Sequence, residues 1–303
     1  MSSDSQLLLM VDDPQLNATY GGGQWQTSTM FQWYGGTIVW PQFADSSTAN
    51  VTGSAFLSFE GIAIAFGGNT PKPFRDSQTL TVSIDGAPSY NTSYDDPRPQ
   101  SFHLQLYQSP MLPEGTHNIT LTHIAGTALD YAVITAGQNT PLTGKTVIVD
   151  NEDPSIRFIG SWTRNTDLLF QSYPFHNSTH QSTTQGDSFI FRFSGTSLNI
   201  YGIMDWANLG TVSASYTLDG ATTSQTYPVT TSSSKYQDNT NDQYNFLLYS
   251  NTSLTAGDHT LVVNVAKCVG TTLSACHERA GACKRGMPVR FLACIGVKER
   301  APA

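Results

Sequence analysis

No cysteine precedes Cys268 in this 303-residue chain; Cys268, Cys276, Cys283 and Cys294 all crowd toward its C-terminal end. A disulfide framework therefore cannot hold the bulk of the molecule. The spacing also lacks the paired Cys-x-x-Cys ligands of a zinc module. Two disulfides within the tail fit the count, and the spacing leaves their pairing open. Charge is scarce as well: Asp, Glu, Lys and Arg make up 13% of the chain, about half the usual quarter. Long solvated helices, which lean on those residues, are disfavoured. The net charge of -8 and pI near 5.2 leave no basic stripe to displace counterions from phosphate, which excludes nucleic acid as a partner. The basic cluster that does exist, Lys284 and Arg285 with Arg279 and Arg290, lies in the cysteine-bearing tail.

Long hydrophobic runs are missing too, so no membrane span is expected. The opening Met1–Met10 has Leu7-Leu8-Leu9 but neither a basic n-region nor a small-residue cleavage site, and is not a usable secretion signal. There is no Gly-x-Ser-x-Gly elbow, no His-Glu-x-x-His and no phosphate-cradling glycine loop. With those motifs absent, the sequence reads as that of a binding protein rather than an enzyme.

In place of charge stand Ser, Thr, Asn, Gln and Gly, with Tyr and Phe throughout, a composition that favours many short strands joined by turns. Asn-X-Ser/Thr acceptors occur at Asn17, Asn50, Asn91, Asn118, Asn177 and Asn251. They point to an extracellular or cell-surface protein whose secretion signal is missing from this sequence.

Self-similarity organises the chain. Asp12-Asp13-Pro14-Gln15-Leu16 recurs as Glu152-Asp153-Pro154-Ser155-Ile156, and Gln24-Trp25-Gln26-Thr27 as Ser161-Trp162-Thr163-Arg164. Ala55–Gly61 matches Phe189–Gly195, and Phe66-Gly67 matches Tyr201-Gly202. Val82–Ala87 matches Tyr216–Ala221, and Leu106-Tyr107, Leu112, Gly115 and His117 match Leu248-Tyr249, Leu254, Gly257 and His259. Asp85-Gly86 and Asp219-Gly220 read as hairpin turns, since type I′ geometry needs positive φ at both central residues. Phe56, Phe59, Ile190 and Phe193 read as members of core strands, and Trp25 and Trp162 as core residues. His117 and His259 lie on alternating strands, where a hydrogen-bonded histidine is the ordinary occupant.

The fold expected is all-β: two tandem antiparallel β-sandwich, jelly-roll domains. The first covers 1–137, a linker 138–145, and the second 146–274. Residues 275–303 show no alternation and have no counterpart in the first repeat, as a gene-model artefact would. The second domain would then lack its closing strand, the counterpart of Ala128–Ile134.

The Asp-Asp-Pro or Glu-Asp-Pro opening, the Gly-x-Trp that follows, the Phe-x-Gly strand end, Tyr-Gly and Tyr-x-Leu-Asp-Gly together resemble a fungal family. It comprises the tandem jelly-roll ectodomains of mushrooms, lectins among them. The resemblance spans about residues 8–135 and 147–273. It implies a galactose-binding-like fold, glycan recognition with galactosides first, and bound calcium.

Residue by residue, two site candidates emerge. Asp12, Asp13 and Asp130 sit on first and last strands that neighbour one another in a jelly roll, and three carboxylates suit a hard cation such as calcium. Glu152 and Asp153 would be their counterparts in the second repeat, with Ser274 in place of Asp130. Sugars stack flat C–H faces on an indole while acids and amides bind their hydroxyls. Asp205, Trp206 and Asn208 place an acid, an indole and an amide in one loop, and Asn69 and Arg75 belong to the matching loop of repeat one. Trp33, Tyr34 and Trp40 read as an aromatic insertion unique to repeat one. A glycan-binding, lectin-like protein is the preferred reading; a structural or adhesive ectodomain of the same fold is the alternative.

Overall fold

The computed structural model describes residues 6–16, 18–22, 24–30, 33–42, 52–70, 79–95, 101–166, 172–238, 242–270, 289–295 and 297–298. They form two compact units, the first built from Met1–Ile148 with Gln171–Tyr173, the second from most of the remainder.

In the first unit β1 (Leu8–Asp12) runs into a 3-10 turn, Asp13–Gln15, and then β2 (Thr19–Gly21) and β3 (Gln24–Thr29). A second 3-10 turn, Tyr34–Gly36, opens β4 (Thr37–Gln42). There follow β5 (Gly53–Gly61), β6 (Ala63–Asn69), β7 (Thr79–Ile84), β8 (Tyr90–Ser93), β9 (Leu104–Gln108), β10 (Gly115–Ile124), β11 (Ala128–Thr135) and β12 (Thr146–Ile148). The second unit starts with β13 (Ile156–Ile159) and β14 (Thr163–Asn165), and a 3-10 turn at Phe175–Asn177 precedes β15 (Thr179–Ser182). It continues with β16 (Ser188–Gly195), β17 (Leu198–Asp205), β18 (Gly210–Leu218), β19 (Ala221–Val229), β20 (Asp242–Asn251), β21 (Gly257–Gly270) and β22 (Val289–Ile295).

Each unit stacks two antiparallel sheets. In the first their orders are β2-β5-β10-β7-β8 and β3-β4-β11-β6-β9, with β1 and β12 added beside β11. In the second they are β13-β16-β21-β18-β19 and β14-β15-β22-β17-β20. Strand for strand the two sets coincide, so the duplication inferred from short motifs extends through the whole architecture.

The sandwich follows from period-two alternation. In β5 the pattern buries Ala55, Leu57 and Phe59, and in β7 it buries Leu80, Val82 and Ile84. Ile64, Phe66, Leu106 and Ile134 of the opposite sheet are buried with them, each apolar side chain contributing about 1.5–3 kcal/mol. Tyrosines tie the sheets together: the hydroxyls of Tyr90 on β8 and Tyr107 on β9 meet at 2.6 Å. In the second unit Tyr216 on β18 stacks on Tyr249 of β20 at 4.7 Å. Both Asp-Gly hairpins have positive φ at both residues, 52° and 72° at Asp85-Gly86 and 49° and 85° at Asp219-Gly220, as the type I′ turn demands.

Four sequence expectations need correction. Val289–Ile295 is not an unpaired appendage: β22 lies between β15 and β17, with Phe291 opposite both His180 and Gly202. It takes the place that β11 has in the first unit, so the second sandwich has its closing strand. Residues 146–148 belong to the first unit, because β12 pairs with β1 from Leu8↔Ile148 to Met10↔Thr146. The segment before it is tied down, with Asn139 Nδ2 donating to Glu114 at 2.9 Å. Phe56 points outward and is 49% exposed, since its neighbours Ala55 and Leu57 take the inward positions. Trp25 and Trp162 are half-buried rather than core; their indole N–H groups donate to Gly21 O at 3.1 Å and Ser188 O at 2.9 Å.

Candidate functional site

The expectation that first and last strands meet holds in the first unit: β1 pairs with β11, and Asp12 lies opposite Tyr131, one residue from Asp130. Asp12 ends β1 and Asp13 begins the 3-10 turn, whose second residue, Pro14, lacks an N–H that the first turn would leave unpaired. Asp13 is 4% exposed and Asp130 0%. The hydroxyl of Thr37 donates to Asp13 Oδ1. The Tyr34 N–H approaches Asp130 Oδ2 at 3.5 Å, and His103 Nε2 stands 3.7 Å from the same oxygen. The His103 ring is anchored on its other side, with Nδ1 2.8 Å from Ser172 Oγ.

The turn that supplies Tyr34 is held tight against this corner. Gly35 has φ 62°, and a Cβ there would come within 1.9 Å of Asp12 Oδ2. Only glycine fits a left-handed position pressed against a carboxylate.

Three buried carboxylate oxygens, Asp12 Oδ1, Asp13 Oδ2 and Asp130 Oδ1, have no hydrogen-bond partner among the described residues. Burial and the charge of Asp13 push the Asp12 carboxyl up to about 7. Burial also raises Asp13, against the Thr37 hydrogen bond. Asp130 is carried well above the ordinary carboxylate range by burial, with the charges of Asp12 and Asp13 adding to it. Such a set is either protonated or answered by a cation. An oxygen-only donor set with unmet valence fits calcium in its chemistry. Among the described residues no three ligand-type side chains stand grouped as a bound ion would hold them. The fit is therefore one of donor type, not of a finished cage.

The second unit builds the same corner differently. Its 3-10 turn has left-handed residues His176 and Asn177 where the first has Gly35 and Gly36. The turn holding Trp33 and Tyr34 is thus common to both repeats, not an insertion in one. Asn151 Nδ2 donates to Ser178 Oγ at 3.1 Å, as Thr37 bonds Asp13, and Asp150 lies 3.7 Å from His176 Nδ1, as Asp12 faces Gly35. The structural counterparts of Asp12-Asp13 are therefore Asp150-Asn151, not Glu152-Asp153. The latter are spent elsewhere: Glu152 accepts from Arg164 Nε at 2.6 Å and Asp153 caps its own turn at Ser155. Arg290 precedes Phe291 opposite Gly202, as Asp130 precedes Tyr131 opposite Gly67. Arg290, not Ser274, thus occupies the Asp130 position; Ser274 lies outside the described residues.

The loop candidate sits at the end of β17. Asp205 is buried and accepts from Ala207 N at 3.0 Å and Asn208 Nδ2 at 2.6 Å. Trp206 is half-buried, its indole N–H donating to Gln243 Oε1 at 2.9 Å and its ring edge-on to Phe246 at 6.0 Å. Acid, indole and amide are thus held on one loop. The acid's hydrogen bonds go to its own loop, which leaves the Asn208 carbonyl and the indole ring to meet a ligand. In the first unit Asn69 Oδ1 accepts the His103 N–H at 3.3 Å, and Arg75 lies outside the described residues. Of the glycan acceptors, Asn91, Asn118 and Asn177 are exposed and Asn251 half-exposed, while Asn17 and Asn50 lie outside the described residues.

Sequence reasoning found the three carboxylates but missed Thr37, His103 and the Gly35 contact. The Gly35-Gly36 pair was the available signal, a doublet with no other reason to stand before a strand.

No family model and no curated protein matches the chain. Among solved structures it is similar to a Paenibacillus xanthan lyase, at 14% identity and TM-score 0.29 over 93% of this chain and 26% of that one. It is also similar to an uncharacterised Listeria monocytogenes protein in complex with α-D-glucose, β-D-glucose, magnesium and calcium. That match has 12% identity and TM-score 0.34 over 90% of this chain and 22% of the other. A third is a cycloalternan-forming enzyme from Listeria monocytogenes with a pentasaccharide substrate, at 12% identity and TM-score 0.29 over 91% and 22%. The chain spans about a quarter of the length of these proteins, and likeness of this degree says nothing of activity.

Proposed function

We propose that this protein is an extracellular, non-catalytic carbohydrate-binding protein, lectin-like, whose second unit takes a sugar at the end of β17 and whose first unit is stiffened by calcium. The observation that carries the reading is the preorganised cluster of Asp205, Trp206 and Asn208. Its amide is fixed by the acid at 2.6 Å and its indole by Gln243 at 2.9 Å, so little rotamer freedom remains to be lost on binding. Galactosides are the first sugars to try, as the resemblance to fungal tandem jelly-roll ectodomains suggests.

Calcium would be held by Asp12, Asp13 and Asp130. When bound it would supply positive charge to carboxylates that each bury one oxygen with no partner among the described residues. The chain's own contribution is to seal that corner: Thr37 orients Asp13, the Tyr34 N–H meets Asp130, and Gly35 closes over Asp12. Carboxylates with raised pKa values are candidate catalysts when they face a cleft. Here Asp13 and Asp130 are 4% and 0% exposed, which favours a structural role over chemistry on a substrate.

The test is isothermal titration of a galactoside series into wild type and Trp206→Ala, with and without a calcium chelator. Loss of the ring should cost about 1 kcal/mol or more, roughly fivefold or greater in affinity. Equal binding by both proteins would move the sugar site away from this loop. Absence of binding to any glycan would leave the adhesive ectodomain as the better reading.

A further inference from the structure

Phe56 is a large apolar side chain standing on the solvent face of a sheet. Its cross-strand neighbours are Thr19 on β2 and Thr120 on β10, and the next pair along is Ser58 with Asn118. Strand parity puts Phe56, Ser58, Asn118 and Thr120 on one face. Asn118 is thus the diagonal neighbour of Phe56, a separation of about 7–8 Å that an aromatic or long side chain bridges. Asn118-Ile119-Thr120 is also an acceptor triplet for N-glycosylation. The Asn118 backbone is held by Asp85, whose Oδ1 accepts its N–H at 2.8 Å, while its exposed side-chain amide makes no hydrogen bond among the described residues.

Asn91, the other described acceptor of the first unit, lacks this setting. Asn91 sits on the edge strand β8, opposite Thr81, its Oδ1 taken by the Thr81 hydroxyl at 2.8 Å. Two strands, β10 and β7, separate it from Phe56 in the sheet order. In the second unit Ile190 stands for Phe56 and Thr260 for Asn118, as the shared registers Ile190↔Val262 and Phe193↔His259 require. The exposed aromatic and the acceptor are present together in one repeat and absent together from the other.

We infer that Asn118 carries an N-linked glycan whose first N-acetylglucosamine lies on the Phe56 ring and covers it. The covalent step joins Asn118 Nδ2 to C1 of that sugar and breaks the bond from C1 to a lipid-pyrophosphate carrier. The carrier leaves as the pyrophosphate, and the amide gives up one proton. The sugar's apolar C–H face then shields the ring, and the Thr120 and Ser58 hydroxyls flank it. The inference depends on passage through a secretory pathway but not on sugar binding at Trp206.

The experiment expresses the full chain behind a heterologous signal peptide in a glycosylating host and measures site occupancy by peptide mass spectrometry. Thermal unfolding is then compared for wild type, Asn118→Gln, Phe56→Thr and the double variant. Asn118 should be occupied. Its loss should lower Tm of the first unit by about 2–4 °C, the scale of one ring contact in a domain of this size. In the Phe56→Thr background the same loss should leave Tm unchanged. Endoglycosidase trimming to a single N-acetylglucosamine should preserve the wild-type Tm. An unoccupied Asn118 beside occupied Asn91, Asn177 or Asn251 would overturn the inference, as would an equal Tm drop in both backgrounds.

Discussion

His117 and His259 hold equivalent positions and are bound in the same way. His117 Nδ1 lies 2.7 Å from Asp85 Oδ2 and its Nε2 2.7 Å from Pro113 O. His259 Nδ1 lies 2.6 Å from Asp219 Oδ2 and its Nε2 2.9 Å from Thr255 O. A carboxylate and a carbonyl can only accept, so each ring is satisfied at both nitrogens only as imidazolium. Burial works against the charge, yet the aspartate and carbonyl hydrogen bonds prevail and raise both histidines above the ordinary value. Asp85 is lowered by the Asn118 backbone N–H and then by His117. Asp219 is lowered by the Thr260 N–H and His259, which together outweigh its burial.

The sign follows from linkage. A histidine raised on folding contributes stability that is full below its unfolded value, about 6.5, and is lost as pH rises through the folded value. An aspartate lowered on folding contributes above its unfolded value, about 3.9, and loses it as pH falls through the folded one. Each clamp is therefore strongest between about pH 4 and 6.5. Deprotonation removes one charge-assisted hydrogen bond, worth about 1.5–3 kcal/mol. The aspartates are 45% exposed, so solvent screening reduces this to about 1–2 kcal/mol per clamp. In a unit of this size that is a Tm change of about 2–8 °C. Calorimetry from pH 5.5 to 8.5 should show both unfolding transitions moving down. His117→Gln should flatten the first transition and His259→Gln the second, and each variant should start lower at pH 5.5. A double variant that kept the wild-type pH slope would refute the clamp.

Other consequences are open to direct measurement. Gly35→Ala forces a left-handed alanine onto Asp12 and should cost about 1–3 kcal/mol, read as a lower urea midpoint with unchanged m-value. A chain ending at Gly270 removes the central strand β22, and calorimetry should show the second transition gone while the first persists. Asp13→Asn copies the Asn151 solution into the first unit. In chelator it should raise Tm by a few degrees by removing a buried charge, and added calcium should raise the Tm of wild type but not of the variant.

The repeat was legible because its blocks are local: a Gly-closed strand, an Asp-Gly turn and a Gly-x-His strand each specify their own geometry. The position of β22 was not. In the first repeat the closing strand follows its predecessor after three residues, Ala125, Gly126 and Thr127, whereas 271–288 intervene in the second. Alternation in Val289-Arg290-Phe291 is too short to stand out after such an interruption. At the acid corner the carboxylates could be named, since neighbouring first and last strands bring Asp12 toward Asp130. Thr37 and His103 could not, because they arrive from distant segments and their contacts depend on where the Tyr34–Gly36 turn and β9 happen to pass.

The two corners show what duplication left free to change. Both units keep the β-strands, the kinked 3-10 turn and a hydroxyl bonded to the residue after the first acid, Thr37 to Asp13 and Ser178 to Asn151. What differs is charge. The first unit has three carboxylates along this corner, one pressed on a glycine, with an oxygen on each unpartnered among the described residues. The second keeps only Asp150, faces it with His176, and converts the next acid to an amide. That amide is fully used, by Ser178 through Nδ2 and by His180 Nδ1 at 2.6 Å through Oδ1. Buried charge must be answered by something, and the second unit carries one acid fewer and places a histidine 3.7 Å from the one it keeps. The first has no such residue where His176 would be, because Gly35 leaves no room for one. His103 stands beside Asp130 alone, so an external cation, or protons held by carboxyls with raised pKa, would complete the rest, which is why the calcium test belongs to the first unit.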